Sequence, residues 1–202
     1  MIVELKKEIK NAYEKPDFLT YLFKVVESKF DQGNQNRTAW NKLINDLKTE
    51  SASNTKKALV NIDYIQFPSF KFNFEHRSNF GKCQLVEKVV SYVSLVLPYY
   101  ISFHEAEVYV PTRQSHWVSL SRMVFSKEDR FTGLLSESEI NRLNEAVSRY
   151  FPRHQRIDHY VTFTNKLSCG FPYGLNKDFT DKNEFSVFQY LFDIEEPSRI
   201  FP

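Results

Sequence analysis

With 27 basic and 25 acidic side chains in 202 residues, the chain is almost neutral. No global field therefore draws it to nucleic acid or an anionic membrane, and a charged partner has to be met locally. An apolar fraction of 42% with 19 Phe and 11 Tyr excludes a disordered chain, because so much ring surface offsets the cost of ordering the backbone. The length suits one domain with a core that needs no disulfide or metal.

The first third has helical spacing. Ile2, Leu5, Ile9 and Tyr13 form one stripe, and Phe18, Leu19, Leu22, Phe23, Val26 and Phe30 form a second behind Pro16. Gly33 and its polar neighbours end that element, and Trp40, Leu43, Ile44 and Leu47 define a third. The polar run Thr49 to Lys57 reads as an exposed connection.

Beyond it the period becomes two. Val60, Ile62 and Tyr64 alternate with polar residues, as do Phe70, Phe72 and Phe74, predicting strands interrupted near Pro68. Asn79-Phe80-Gly81-Lys82 supplies turn chemistry. Leu85, Val86, Val89, Val90 and Val93 fit either a helix or a strand by spacing. The β-branched and aromatic content through Val96, Tyr99, Tyr100, Ile101, Phe103, Val108 and Val110 favours strand, with Pro98 expected to bend or break it.

Trp117 to Phe125 is a further strand, and Asp129 to Gly133 a loop. Ser136 and Glu139 give a capping pattern ahead of the stripe Ile140, Leu143, Val147 and Tyr150, which ends before Pro152. Tyr160 to Phe163 reads as a short strand or a helix end, Cys169 to Gly174 as a loop, and Phe185 to Phe192 as a buried element of either type. The expectation is an α+β fold: N-terminal helices, a central, mainly antiparallel sheet, and a C-terminal capped helix packed on it. The chain 1–202 is read as a single globular domain, with a helical subregion 1–50 and a sheet-containing subregion 58–202.

Cys83 and Cys169 stand far apart with no CxxC, which fits reduced thiols in a cytoplasm. The N-terminus carries charge where an export signal needs an apolar stretch, and Val89 to Phe103 is too short to span a bilayer, so no membrane partner is expected. No G-x-S-x-G elbow, Walker loop, G-x-G-x-x-G turn or H-E-x-x-H helix occurs. No cofactor and no metal is implied.

Four constellations bear on chemistry. His104-Glu105-Ala106-Glu107 joins a histidine to two carboxylates, but in a strand His104 diverges from both, and the segment reads as a solvated strand end. His154 and His159 are five residues apart, missing the i, i+4 spacing of a helical metal pair. Arg149 and Arg153 around them read first as cations at a helix C-terminus, and alternatively, with Arg156, Tyr150 and Tyr160, as a patch for phosphate or an acidic protein surface. Cys169 has a thiol but no signature placing a base beside it.

The run Val90-Ser91-Tyr92-Val93-Ser94 through Pro98-Tyr99-Tyr100-Ile101-Ser102-Phe103, a helix ending Tyr150-Phe151-Pro152, and the terminal Phe185-Ser186-Val187-Phe188-Gln189-Tyr190-Leu191-Phe192 resemble small bacterial immunity proteins of polymorphic-toxin systems. The resemblance covers roughly the C-terminal half and contains no catalytic motif. It implies a cytosolic antitoxin that binds one cognate toxin and blocks its active site or substrate groove. An inhibitor of that kind needs an aromatic or apolar hot spot with a charged rim. Candidate contacts are Trp117 with Arg113 and His116, the cations Arg149, Arg153 and Arg156, Tyr173 in its loop, and the acidic tail Asp193, Glu195 and Glu196. Two other readings stay open. One is a small hydrolase or transferase with a spatially assembled site; the other is a nucleic-acid-binding or phage-defence accessory protein, which the near-neutral charge disfavours.

Overall fold

Apolar residues at helical spacing become three helices at the N-terminus: α1 (Ile2–Tyr13), α2 (Phe18–Phe30) and α3 (Gln35–Ser51). The computed structural model describes residues 2–15, 17–31, 33–51, 58–62, 68–112, 117–125, 137–175, 184–197 and 199–201. In α1 the buried face is Leu5, Ile9, Ala12 and Tyr13, and in α3 it includes Trp40, Leu43, Ile44 and Leu47. The stripe of α2 is narrower than its spacing suggests. Only Leu22 and Val26 are buried, while Leu19 and Phe23 stay exposed, because α2 packs against α1 and α3 along one narrow seam, with Phe30 reaching Phe70 of the sheet, and turns its remaining face to solvent. Pro16, Tyr64, most of the Thr49 to Lys57 connection and the Asp129 to Gly133 loop lie outside the described residues.

The sheet follows the order β1 (Ala58–Ile62), β2 (Ser69–Phe80), β3 (Cys83–Ser94), β4 (Tyr99–Pro111), β5 (Trp117–Phe125) and β9 (Arg199–Phe201), with β6 (Gln155–Arg156) beside β4. The first five strands pair antiparallel, and β6 and β9 join in parallel. Gly81 and Lys82 form the turn between β2 and β3, with Gly81 at φ 60°, a left-handed conformation that favours glycine. Leu85 to Val93 is strand. Its helix-like spacing arises because β3 is covered on both faces, so Val86, Val89, Val90 and Val93 are all buried and the period of two is hidden. Pro98 sits in the bend between β3 and β4.

Alternation along the strands sorts side chains to two faces. Phe70, Phe72 and Phe74 face α3 and α4 (Glu137–Tyr150): Trp40 stacks on Phe70 at 4.7 Å, and Tyr100 lies 3.3 Å from the Ser148 hydroxyl. Tyr92 and Phe103 face α5 (His159–Thr164) and α6 (Val187–Leu191), meeting Phe188 at 5.3 Å and Phe163 at 5.6 Å. A small antiparallel pair, β7 (Lys166–Leu167) with β8 (Phe185–Ser186), lies apart from the main sheet. One cluster of buried apolar side chains draws on residues from Leu5 to Phe192.

The Phe185 to Phe192 segment resolves into β8 followed by α6. Its helical start is a capping box: the Ser186 hydroxyl accepts from the Gln189 backbone N–H at 3.1 Å, and the Gln189 side chain accepts from the Ser186 N–H at 3.1 Å. Tyr160 to Phe163 is helix, capped by Asp158, whose carboxylate accepts from Val161 N–H. The Ser136 cap of α4 lies outside the described residues. Among the described residues no helix is long and apolar enough to cross a membrane.

Candidate functional site

The described helices cover only one end of the sheet. Toward Tyr99 and Ser94 both faces are sealed, whereas toward the β2–β3 turn and the start of β5 burial fades strand by strand. The end residues are apolar nonetheless. Phe80 is 83% exposed, Trp117 51% and Val118 45%. The pairings Phe80 with Cys83 and Val110 with Val118, beside Leu85 with Val108, place Phe80, Cys83, Val110 and Val118 on the α4 side. Trp117, opposite Pro111, falls on the other side. The end is therefore apolar on its α4 face, carries Trp117 among polar neighbours on the other, and is borne on hydrogen-bonded strands.

On the α5 side, between this end and the aromatic layer, lies a buried ionic network. Lys88 Nζ is 3.3 Å from Glu105 and 2.7 Å from Glu107. Arg122 Nε is 2.6 Å from Glu105, its Nη2 donates to Tyr92 OH at 3.2 Å, and Tyr92 OH donates to Asp193 at 3.3 Å. Lys71 approaches the same Asp193 carboxylate at 3.7 Å, and Tyr109 OH donates to Glu107 at 2.5 Å. Burial pulls Glu107 toward the neutral form, but hydrogen bonds from Lys88 and Tyr109 prevail and hold its carboxyl below the ordinary range. Tyr109, by its own burial and its carboxylate neighbour, is pushed up to about 12. A carboxylate so compensated is a poor proton acceptor, and the arrangement locks strands together.

This corrects the reading of His104 to Glu107 as a solvated strand end. All of these residues are buried. His104 faces α4, while Glu105 and Glu107 share the opposite face, as strand geometry requires. Burial pushes His104 down to about 4 despite Glu139 nearby, and does the same to His159, so both are neutral near pH 7.

The other candidate contacts divide. Arg113 and His116 lie outside the described residues. Arg149, Arg153 and Arg156 are exposed but do not converge. Arg149 lines a small cleft with Asp46 and Arg142; Arg153 lines a separate cleft of about 430 Å³ beside Asn36 and His154; Arg156 lies on β6. Tyr150, whose hydroxyl donates to Asp46, stands between the two clefts. Tyr173 was expected at the surface but is only 8% exposed, folded into the core. Asp193 is likewise buried, because Tyr92 and Lys71 draw it onto the sheet, whereas Glu195 is exposed and Glu196 half-buried.

Cys169 is buried with its thiol pushed up by burial, the opposite of an activated nucleophile. Among the described residues no group of three or more His, Cys, Asp or Glu side chains is placed to hold a metal ion. Sequence reasoning missed two features. Phe80 was read only as part of a turn, although a large ring beside a tight turn has little core to enter. Lys88 and Arg122 were not singled out, although each interrupts an otherwise β-forming run. No family model matches the chain, and no curated protein and no solved structure matches it.

Proposed function

We propose that the protein is a cytoplasmic binding module of the immunity or inhibitor type, whose projecting sheet end enters a groove of a cognate protein toxin and blocks access to it. The observation that carries this reading is the exposure of Phe80, Trp117 and Val118 on both faces of one strand-borne end. Large apolar side chains left in water on ordered strands are what an association surface presents, and Trp and Tyr dominate binding hot spots. A projecting end with large side chains exposed on two sides suits a cleft better than a flat surface. The ionic network behind it keeps the strands in register, so little ordering is lost on association.

Supporting the reading is the chemistry that an inhibitor can do without. Cys169 is packed as a core residue, and Glu105 and Glu107 are held by cations. The dispersal of Arg149, Arg153 and Arg156 gives the nucleic-acid reading no continuous phosphate track. Both cysteines are free, which fits a reducing compartment.

The test is co-purification with the product of the adjacent gene, against unrelated proteins, with Cys83 as reporter. Cys83 is half-buried at the projecting end while Cys169 is buried. A selective partner should slow alkylation of Cys83 and leave Cys169 unreactive throughout. Absence of a selective partner, together with no protection of cells from that gene product, would overturn the reading.

A further inference from the structure

At the opposite, helix-covered end of the sheet, where Tyr99 OH donates to Glu8 of α1 at 2.9 Å, a second surface feature stands apart from the projecting end. Lys6, Lys7 and Lys10 of α1 and Lys166 of β7 bound one open cleft of about 520 Å³. Lysines along a surface helix ordinarily keep it solvated. Three observations set these apart.

First, Lys166 is brought to the cleft from a different element, far along the chain from α1, so the cluster is made by the fold and not by a local run. Second, Lys6 and Lys10 stand at i, i+4 on α1, a like-charge spacing that costs an isolated helix stability. Third, two carboxylates also line the cleft, Glu14 and Glu184, yet none of the four lysines forms an ion pair with a described residue. Among the described residues four cations against two anions line the cleft, in a protein whose net formal charge is only +2.

From this geometry we infer that the cleft between α1 and β7 is a binding site for a compact ligand carrying two or more phosphate groups. Its volume lies in the range of small-ligand sites, roughly 300–1,000 Å³. Lysine ammonium groups act as point-charge phosphate binders that need no fixed fork geometry. Four of them around one cleft match a ligand whose charges are close together, where a single phosphate would leave cations unused. The inference is independent of the proposed docking role, because it uses no residue of the projecting end.

The experiment is magnesium-free titration calorimetry of the whole chain with two probes, inorganic triphosphate and adenosine triphosphate. The expected result is saturable binding at one site per chain, weakened by salt. Lys10→Glu with Lys166→Glu should weaken it at least about tenfold, the size expected when charge-assisted contacts are lost. Lys82→Glu, at the far end of the sheet, should leave it unchanged. All three positions are exposed, and unchanged melting temperatures would show that the variants are folded. Equal affinity for the two probes assigns the site to phosphate groups alone, and tighter binding of the nucleotide assigns it to a phosphorylated nucleoside. Failure of both probes to saturate, or an equal loss in Lys82→Glu, would overturn the inference, the latter by showing diffuse surface attraction.

Discussion

The two ends of the sheet are built from the same strands and solve different problems. At the helix-covered end, Phe70 lies within ring contact of Phe30, Trp40 and Phe151, and Tyr92 within contact of Phe103, Phe188 and Phe192. The rings carried on the strands there are explained by folding, and the exposed apolar side chains of that end, Val3, Leu19, Tyr21 and Phe23, lie on the outer surface of α1 and α2. At the projecting end the strands continue with Phe80, Val110, Trp117 and Val118, but no described helix reaches them. Apolar residues that folding leaves in water call for an explanation outside the fold. Between the two ends the Lys88, Glu105, Glu107 and Arg122 network joins three strands where the aromatic layer stops.

The comparison breaks first at the covered end. Phe70→Ala should cost about 3–5 kcal/mol of unfolding free energy in a urea titration, as expected for a buried ring whose cavity refills poorly. A loss below about 1 kcal/mol would mean that the aromatic layer is not the core it is taken to be. In the middle region, Lys88→Met leaves the Glu107 carboxylate without its cation, while Glu105 keeps Arg122, and should cost about 3 kcal/mol. Adding Glu107→Gln should restore part of that loss, since the unpaired charge is removed with it.

Acid probes the same middle region. Burial holds His104 and His159 near 4, against an ordinary value of 6.5 in the unfolded chain. Between those values the unfolded chain binds more protons than the folded one. Stability is therefore full above about pH 6.5, falls as the pH drops toward 4, and has lost this contribution below it. Each histidine accounts for about 3 kcal/mol at most. Glu107, held low by Lys88 and Tyr109, adds its own loss further into acid. A flat profile between pH 6.5 and 4 would contradict the burial of both rings.

Much of the architecture could be read from spacing, because helices α1 and α3 bury one face, and in β2 the rings of Phe70, Phe72 and Phe74 alternate with the polar Lys71 and Asn73, which keeps a clean period although Asn73 is buried. Strand β3 hid its period by being covered twice. The ionic network could not be read, because Lys88, Glu105 and Arg122 become neighbours only through the register of three strands, which no local pattern encodes. The same limitation misplaced Tyr173 and Asp193. A tyrosine in a loop and an acid near the C-terminus look solvent-facing in sequence, and only their tertiary partners bury them. Trp117 needed no partner to be placed at the surface, since it begins a strand after the polar run Thr112 to His116 in the sequence.

At the projecting end the smallest effect on stability should accompany the largest effect on binding. Phe80→Ser and Trp117→Ser, singly or together, remove side chains that the folded protein leaves in water, so each should change unfolding free energy by no more than about 0.5 kcal/mol. The measurement that decides the account is the affinity of the Phe80→Ser/Trp117→Ser variant for the adjacent gene's product, taken alongside its stability. Wild-type stability is expected, with binding weakened at least about a hundredfold, the loss expected of two hot-spot side chains. Binding retained at wild-type strength would contradict it, because the projecting end would then not be the surface that meets the partner.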